Sequence, residues 1–200
     1  MKNVFLAFAL LMGLITQAEA DEASWGIRGG FTLASQTGTA DSMLIGLTTG
    51  IFADLSLGNR FSFQPELDFT MKGTHIGGAI SVPDQPTGLS LDDYFDYFEL
   101  PLLLKVTKDL SRVMVGSLSA GPAFGLLLNP NDHYAIGNYP RGQTITGAPA
   151  DMGLMIGAGI ELDQMLFDLR YEIGLISAYA NSPDGPQNNT LSLQVGYRIE

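Results

Sequence analysis

Apolar and polar residues alternate along most of this chain, and apolar stripes at helical spacing are missing beyond its first twenty residues. The clearest run is 61–72, where Phe61, Phe63, Pro65, Leu67, Phe69 and Met71 interleave with Ser62, Gln64, Glu66, Asp68, Thr70 and Lys72. Successive side chains of a strand point to opposite faces, so twelve alternating positions predict a strand with one apolar and one polar face. Residues 166–175 repeat the pattern, with Phe167, Leu169, Tyr171 and Ile173 opposite Asp168, Arg170 and Glu172. In 191–199 the polar set is Ser192, Gln194, Gly196 and Arg198. Leu100, Leu102, Leu104 and Val106 oppose Glu99, Pro101, Leu103 and Lys105. Residues 156–162 alternate apolar positions with Gly157, Gly159 and Glu161, and 25–33 set Gly26, Arg28, Gly30 and Thr32 against Trp25, Ile27, Phe31 and Leu33. The alternation weakens in 47–55, and in 113–124 the phase is ambiguous because both faces are small or apolar. Eight strands are predicted, at 24–34, 44–55, 60–72, 94–107, 112–126, 151–162, 165–177 and 190–200.

Their connections alternate in length. Residues 56–59, 108–111 and 163–164 are tight turns, whereas 35–43, 73–93, 127–150 and 178–189 are long and hold Pro83, Pro86, Pro130, Pro140, Pro149, Pro183 and Pro186. Short turns at one end and long loops at the other are the asymmetry of an outer-membrane barrel, with turns in the periplasm and loops outside. An even strand number returns both termini to the turn side. The expected fold is all-β, an eight-stranded antiparallel up-and-down transmembrane β-barrel.

Composition sharpens this picture. Of 200 residues, 46% are hydrophobic, only 16% charged, and 24 are glycine. Ordinary globular chains carry roughly 25% charge and about 7% glycine, and disorder needs the opposite balance. The formal net charge of −11 disfavours a nucleic-acid partner, because phosphate binding needs basic surface. The absence of cysteine excludes a disulfide scaffold, a thiolate metal site, a cysteine nucleophile and a lipid-modified N-terminal cysteine. The segment Met1-Lys2-Asn3, an apolar run over 4–15 and Ala18-Glu19-Ala20 read as a secretory signal peptide, cleaved before Asp21. The expected domains are therefore a signal peptide, 1–20, and an outer-membrane barrel, 21–200. No later apolar run approaches the ~18–20 residues of a transmembrane helix.

Alternation alone leaves open which face is inside. A lipocalin-like barrel turns its apolar face inward, whereas a membrane barrel turns it to lipid. Three features favour the membrane. Strand charges are few and mixed: Arg28, Lys72, Lys105, Arg170 and Arg198 with Asp54, Glu66, Asp68, Glu99, Glu161, Asp168 and Glu172, a set suited to pairing in a closed lumen. The apolar positions are long and aromatic-rich (Trp25, Phe31, Phe61, Phe63, Phe69, Phe167, Tyr171, Tyr197). Many strands reach the ~9–11 residues that cross a bilayer at a tilt. Eight strands leave an interior just wide enough for side chains to fill. A packed polar lumen follows, built on Arg28, Glu66, Asp68, Glu99, Lys105, Glu161, Asp168, Arg170, Glu172 and Arg198. Gly26, Gly30, Gly157, Gly159, Gly174 and Gly196 either make room for it or mark bulges. Replacing Arg170 by leucine is expected to leave Glu172 or Asp168 unpaired.

Gly26-Ile27-Arg28-Gly29-Gly30-Phe31-Thr32-Leu33-Ala34-Ser35 resembles the opening strand of the PorT-like outer-membrane β-barrel family ("porin family") common in Bacteroidetes. The resemblance extends through Gly50-Ile51-Phe52-Ala53-Asp54, Gln64-Pro65-Glu66-Leu67, Lys72-Gly73 and Glu99-Leu100-Pro101-Leu102-Leu103-Leu104-Lys105. Gly121-Pro122, Gly157-Ala158-Gly159, Leu169-Arg170-Tyr171 and Val195-Gly196-Tyr197-Arg198 follow in the expected order, so it spans nearly the whole mature chain. It implies a barrel inserted by the barrel-assembly machinery, with periplasmic chaperones as transient partners, and it carries no shared enzymatic activity. Such chains usually finish on an aromatic residue; this one finishes Arg198-Ile199-Glu200, with Tyr197 the nearest aromatic.

Candidate chemistry is sparse. His75 and His133 fall in predicted loops, and Asp132-His133-Tyr134 is an adjacent acid–base pair without a nucleophile beside it. Asp92-Asp93-Tyr94-Phe95-Asp96 carries carboxylates but lacks calcium-loop spacing. The predicted outer loops carry Asp41, Asp84, Asp92, Asp93, Asp132 and Asp184 against Arg141, net −5, and the predicted turns Arg60, Lys108 and Arg112 against Asp109 and Asp163, net +1. Loop 127–150, with Tyr134, Ile136, Tyr139 and Arg141, is the candidate contact surface, because aromatic loop residues supply binding hot spots. The expectation is a monomeric structural or surface-interaction protein in outer-membrane lipid and lipopolysaccharide, with no catalysis, cofactor or metal. Two rival readings are a small transport or ligand-binding barrel and a soluble periplasmic lipocalin-like barrel for an apolar ligand.

Overall fold

A computed structural model describes residues 23–37, 43–77, 90–128, 148–179 and 184–199. Eight strands, β1 (Ala23–Gln36), β2 (Leu44–Gly58), β3 (Phe61–Gly77), β4 (Ser90–Asp109), β5 (Met114–Leu127), β6 (Ala150–Leu162), β7 (Met165–Ser177) and β8 (Gln187–Ile199), follow in sequence. Each pairs antiparallel with its chain neighbours, and β1 pairs with β8 to close the barrel. The closing seam runs without a break from Trp25↔Ile199 to Gln36↔Asn188. The predicted signal segment 1–20 and loop residues 129–147 lie outside the described residues.

The tight connections are Asn59–Arg60, Leu110–Val113 and Asp163–Gln164, where Asn59 (φ 56°) and Asp163 (φ 54°) take the left-handed conformation that their short polar side chains tolerate. Most strand boundaries differ from expectation by a few residues, and those of β3 and β4 move charged residues into strands. β4 runs on to Asp109, so Lys108 belongs to a strand rather than a turn. β3 and β4 also pair well past the predicted ends, through Gly73↔Tyr94 to Gly77↔Ser90, so 73–77 and 90–93 are strand and not loop. Asp92 and Asp93 therefore sit in a ladder. Beyond the apolar band neither face of a strand needs to be apolar, and alternation disappears while the backbone pairing continues.

The polarity of the barrel is inverted relative to a soluble protein. The buried side chains are mostly polar or charged, whereas Trp25, Ile27, Phe31, Ile45, Leu47, Phe61, Leu104, Leu118, Ile156, Leu169 and Leu193 are exposed on the outside. The lipocalin-like alternative requires the opposite arrangement. In β5 the ambiguous phase resolves with Ser117, Ala123 and Gly125 inward and Leu118, Phe124 and Leu126 outward. A small apolar cluster, Leu103, Ala123 and Met155, fills one side of the interior.

The inner glycines divide between the two expected roles. At Gly157 a Cβ would lie 2.7 Å from Ser119 Oγ and 3.1 Å from Arg170 Cγ, so the absent side chain is what lets the guanidinium stem cross the lumen. Gly174 instead lies in the stretch where the β7–β8 register shifts, between Ile173 and Ser177.

Candidate functional site

The strands place their inward charges in three layers along the barrel axis. Nearest the turns, Lys105 Nζ donates to Asp54 Oδ2 at 2.8 Å and pairs with Glu161. Arg198 Nη2 donates to Glu161 Oε2 at 2.8 Å and lies 3.7 Å from Asp54 Oδ2. Two cations face two carboxylates here.

In the middle layer Glu66 is held from three sides. Arg170 grips it bidentately, Nη1 to Oε2 at 2.7 Å and Nη2 to Oε1 at 3.1 Å. Arg28 Nη1 donates to Oε2 at 3.2 Å, and Gln64 Nε2 donates to Oε1 at 2.5 Å. Arg28 also reaches Gln194 Oε1 at 3.4 Å and packs its guanidinium 4.5 Å from the Phe52 ring centroid. Asp168 lies 3.6 Å from Arg170 Nη2. The expected partner of Arg170 is thus corrected: it is chiefly Glu66, with Asp168 secondary, while Glu172 pairs elsewhere. Which carboxylate an inward arginine meets depends on barrel tilt and register, which alternation does not carry.

Toward the loops Lys72 is the hub. Its ammonium donates to Glu172 Oε1 at 2.8 Å and Asp151 Oδ2 at 3.1 Å, pairs with Glu99, and sits 5.6 Å from the Tyr97 ring centroid. Asn188 Nδ2 donates to Asp151 Oδ2 at 3.4 Å, Gln36 Nε2 donates to Asn188 Oδ1 at 3.3 Å, and Tyr179 OH donates to Gln36 Oε1 at 2.8 Å. Glu99, Asp151 and Glu172 offer oxygens within 4.8 Å of one another, a spacing compatible with a metal ion, but the Lys72 ammonium already serves all three.

The ten sequence-predicted lumen residues, Arg28, Glu66, Asp68, Glu99, Lys105, Glu161, Asp168, Arg170, Glu172 and Arg198, all lie on inward faces. Sequence reasoning missed Asp151, set at a predicted strand edge, and the inward Phe95, Tyr97 and Asn188. For Asp151, Phe95 and Tyr97 the only signal was the phase of their strands, which Asp151 shares with Gly153, Met155 and Glu161; Asn188 fell in the predicted loop 178–189, whereas β8 begins at Gln187. Tyr134, Ile136, Tyr139 and Arg141 lie outside the described residues, as do Asp132 and His133; His75 is in β3, paired with Asp92.

A cavity of about 10 Å³, room for one water molecule, lies between the middle and loop-side layers, where Asp68, Glu99, Glu172, Arg170, Thr190 and Ser192 converge.

Hydrocarbon selects this architecture, because every backbone donor and acceptor must be paired within the protein and lipid must meet apolar side chains. The fold and its inverted polarity define an integral outer-membrane β-barrel. The profile of the outer membrane protein beta-barrel domain matches residues 16–180, and the chain belongs to that family. Among solved structures the chain is similar to Neisserial surface protein A, at 13% identity and TM-score 0.50 over 88% of this chain and 97% of that one. It is also similar to the outer membrane protein OprG from Pseudomonas aeruginosa, at 10% identity and TM-score 0.50 over 90% and 97%. Ail, the attachment invasion locus protein of Yersinia pestis, aligns at 16% identity and TM-score 0.45 over 89% and 99%. At these identities the likeness is one of fold. A sequence comparison with curated proteins gave no significant match.

Proposed function

We propose that this protein is a closed, non-conducting barrel of the outer membrane whose role is structural or carried by surface contacts of its loops, without catalysis. The observation that carries this reading is the three-layered ion-pair network, which occupies the lumen from Lys105 and Arg198 to Lys72 with charged side chains bonded across it. Opening an aqueous path would separate these pairs, and removing one partner from a buried pair costs about 3–5 kcal/mol. In this reading the signal peptide is cleaved before Asp21, the tight turns and both termini face the periplasm, and loop 127–150 faces outward. The protein is monomeric, sits among lipid and lipopolysaccharide, and reaches the membrane through periplasmic chaperones and the barrel-assembly machinery. The Gln64-Pro65-Glu66-Leu67 and Glu99-Leu100-Pro101-Leu102 segments support placing it with the PorT-like barrels of Bacteroidetes.

Planar-bilayer recording of the purified, folded protein tests the closed lumen. The expected result is baseline conductance, and stable steps well above baseline would refute the reading. Deletion of residues 130–146 tests the loop: surface binding should fall while the barrel still folds, and unchanged binding would leave the loop without that role.

A further inference from the structure

The cations of the barrel divide between two places. Arg28, Lys72, Lys105, Arg170 and Arg198 point into the lumen, and each is ion-paired there. The other described cations are Arg60, Lys108 and Arg112. All three are exposed at the turn end, and among the described residues none has an ion-pair partner. They stand on two adjacent hairpins. Arg60 ends the β2–β3 turn, and its carbonyl accepts from Thr107 N at 2.9 Å, one residue before Lys108. Lys108 is near the end of β4, and Arg112 lies in the β4–β5 turn. Asp109 is the acid beside them. The β6–β7 turn, on the other half of this end, presents Asp163 and no unpaired cation among the described residues. A chain of net charge −11 thus gathers the unpaired positive charge of its described residues in one patch.

That patch runs directly into the outer apolar face. Lys108 shares its face of β4 with Leu104 and Val106, and its partner across the ladder is Gly116, in phase with the exposed Leu118. A Cβ at Gly116 would lie 3.0 Å from Leu110 Cδ1, so Leu110 lies along this outer face beside the lysine. Phe61, next to Arg60, is exposed, as are Leu57 and Val113 at the two turns. Exposed apolar side chains interleaved with exposed cations suit the boundary where hydrocarbon gives way to headgroups. There long basic side chains lay their methylenes on apolar surface and lift their charge to the polar layer.

We propose that Arg60, Lys108 and Arg112 form a binding surface for the phosphate headgroups of anionic phospholipids in the leaflet that meets the turns. Two observations select this partner. The charge is positive and unneutralised, and it borders the strand surface that lipid tails must cover. A zwitterionic lipid carries its own cation and would leave the patch uncompensated. Each guanidinium can take two phosphate oxygens, whereas Lys108 acts as a point charge. Anionic lipid therefore collects against the β2–β5 side of the turn end and not against Asp163. That this leaflet is the periplasmic one rests on the orientation proposed above; the binding itself requires only an integral barrel.

The test places the full folded barrel in phosphatidylcholine vesicles with a trace of spin-labelled phosphatidylglycerol or spin-labelled phosphatidylcholine. Electron paramagnetic resonance then reads the fraction of label immobilised at the protein. Phosphatidylglycerol should be held more tightly than phosphatidylcholine, and rising salt should shrink the difference. Arg60→Gln, Lys108→Gln and Arg112→Gln should each weaken the preference at this site about fivefold, and the triple variant should lose it. All three side chains are exposed, so the variants should fold; if the triple variant does not, the single ones decide. Asp109→Asn should strengthen the preference and Asp163→Asn leave it unchanged, although both remove one negative charge. Equal binding of the two lipids by the unaltered barrel overturns the proposal, as does a preference that survives the triple replacement. Equal effects of Asp109→Asn and Asp163→Asn also overturn it, by assigning the preference to net charge. So does loss of the preference in millimolar inorganic phosphate at constant ionic strength, which would make the patch a site for the free anion. The label is present in both leaflets, so the result does not depend on which way the turns face, and it leaves the conductance test of the closed lumen independent.

Discussion

Leu169 and Arg170 are adjacent in β7, yet one is 52% exposed on the outer face and the other is buried against Glu66. Substitutions at the two sites act through different physics. Leu169→Arg puts a charge against lipid near mid-strand and should destabilise the barrel by ~2–4 kcal/mol, read by urea unfolding in lipid vesicles. Arg170→Leu removes the bidentate clamp from a buried carboxylate and should cost about 3–5 kcal/mol in the same assay. Lys72→Met should be at least as damaging, because Glu99, Asp151 and Glu172 would then face one another within 4.8 Å without their shared ammonium. Equal and negligible effects from Leu169→Arg and Arg170→Leu would show that the two faces are assigned wrongly.

At the scale of the strand, β6 carries the crowding of the lumen. Gly157→Val would force a branched side chain toward Ser119 Oγ and the Arg170 stem, and overpacking of this kind costs about 1–3 kcal/mol, visible as a lower urea midpoint. The same change at Ala158, which faces out on β6, should be nearly neutral. The strands themselves were legible in the sequence because bilayer and lumen impose opposite polarity on alternate residues, as in 61–72. Legibility failed where that contrast failed. The phase of β5 was hidden because Ser117 and Ala123 inside are nearly as small as Ala120 outside, and the outer ends of β3 and β4 were hidden because alternation fades past the apolar band. The membership of the lumen network was largely readable from phase. Its pairings were not: Arg28 on β1 meeting Glu66 on β3, or Lys72 on β3 meeting Glu172 on β7, follows from tilt and closure, which no local pattern encodes.

For the whole molecule, closure predicts a compact folded form that resists detergent. Unboiled and boiled samples of the membrane fraction should migrate differently on a gel, and identical migration would count against a closed barrel. Folding should also lose its intermediate states, for a reason found in the lumen. Arg28 bridges β1 to β3, Arg170 bridges β7 to β3, Lys105 bridges β4 to β2 and β6, and Arg198 bridges β8 to β6 and β2. These bonds join strands that are not neighbours in the sheet, so a ribbon of three or four paired strands contains its hairpin hydrogen bonds but few of its ion pairs. An open sheet in the membrane would hold these charges without their partners, and zipping the twelve-residue seam between β1 and β8 brings the partners together at once. The ion pairs thus act as a latch on the seam. Parting β1 from β8 sideways, to admit a lipid or release a strand, means breaking charge pairs on the far side of the barrel as well as backbone bonds along the edge.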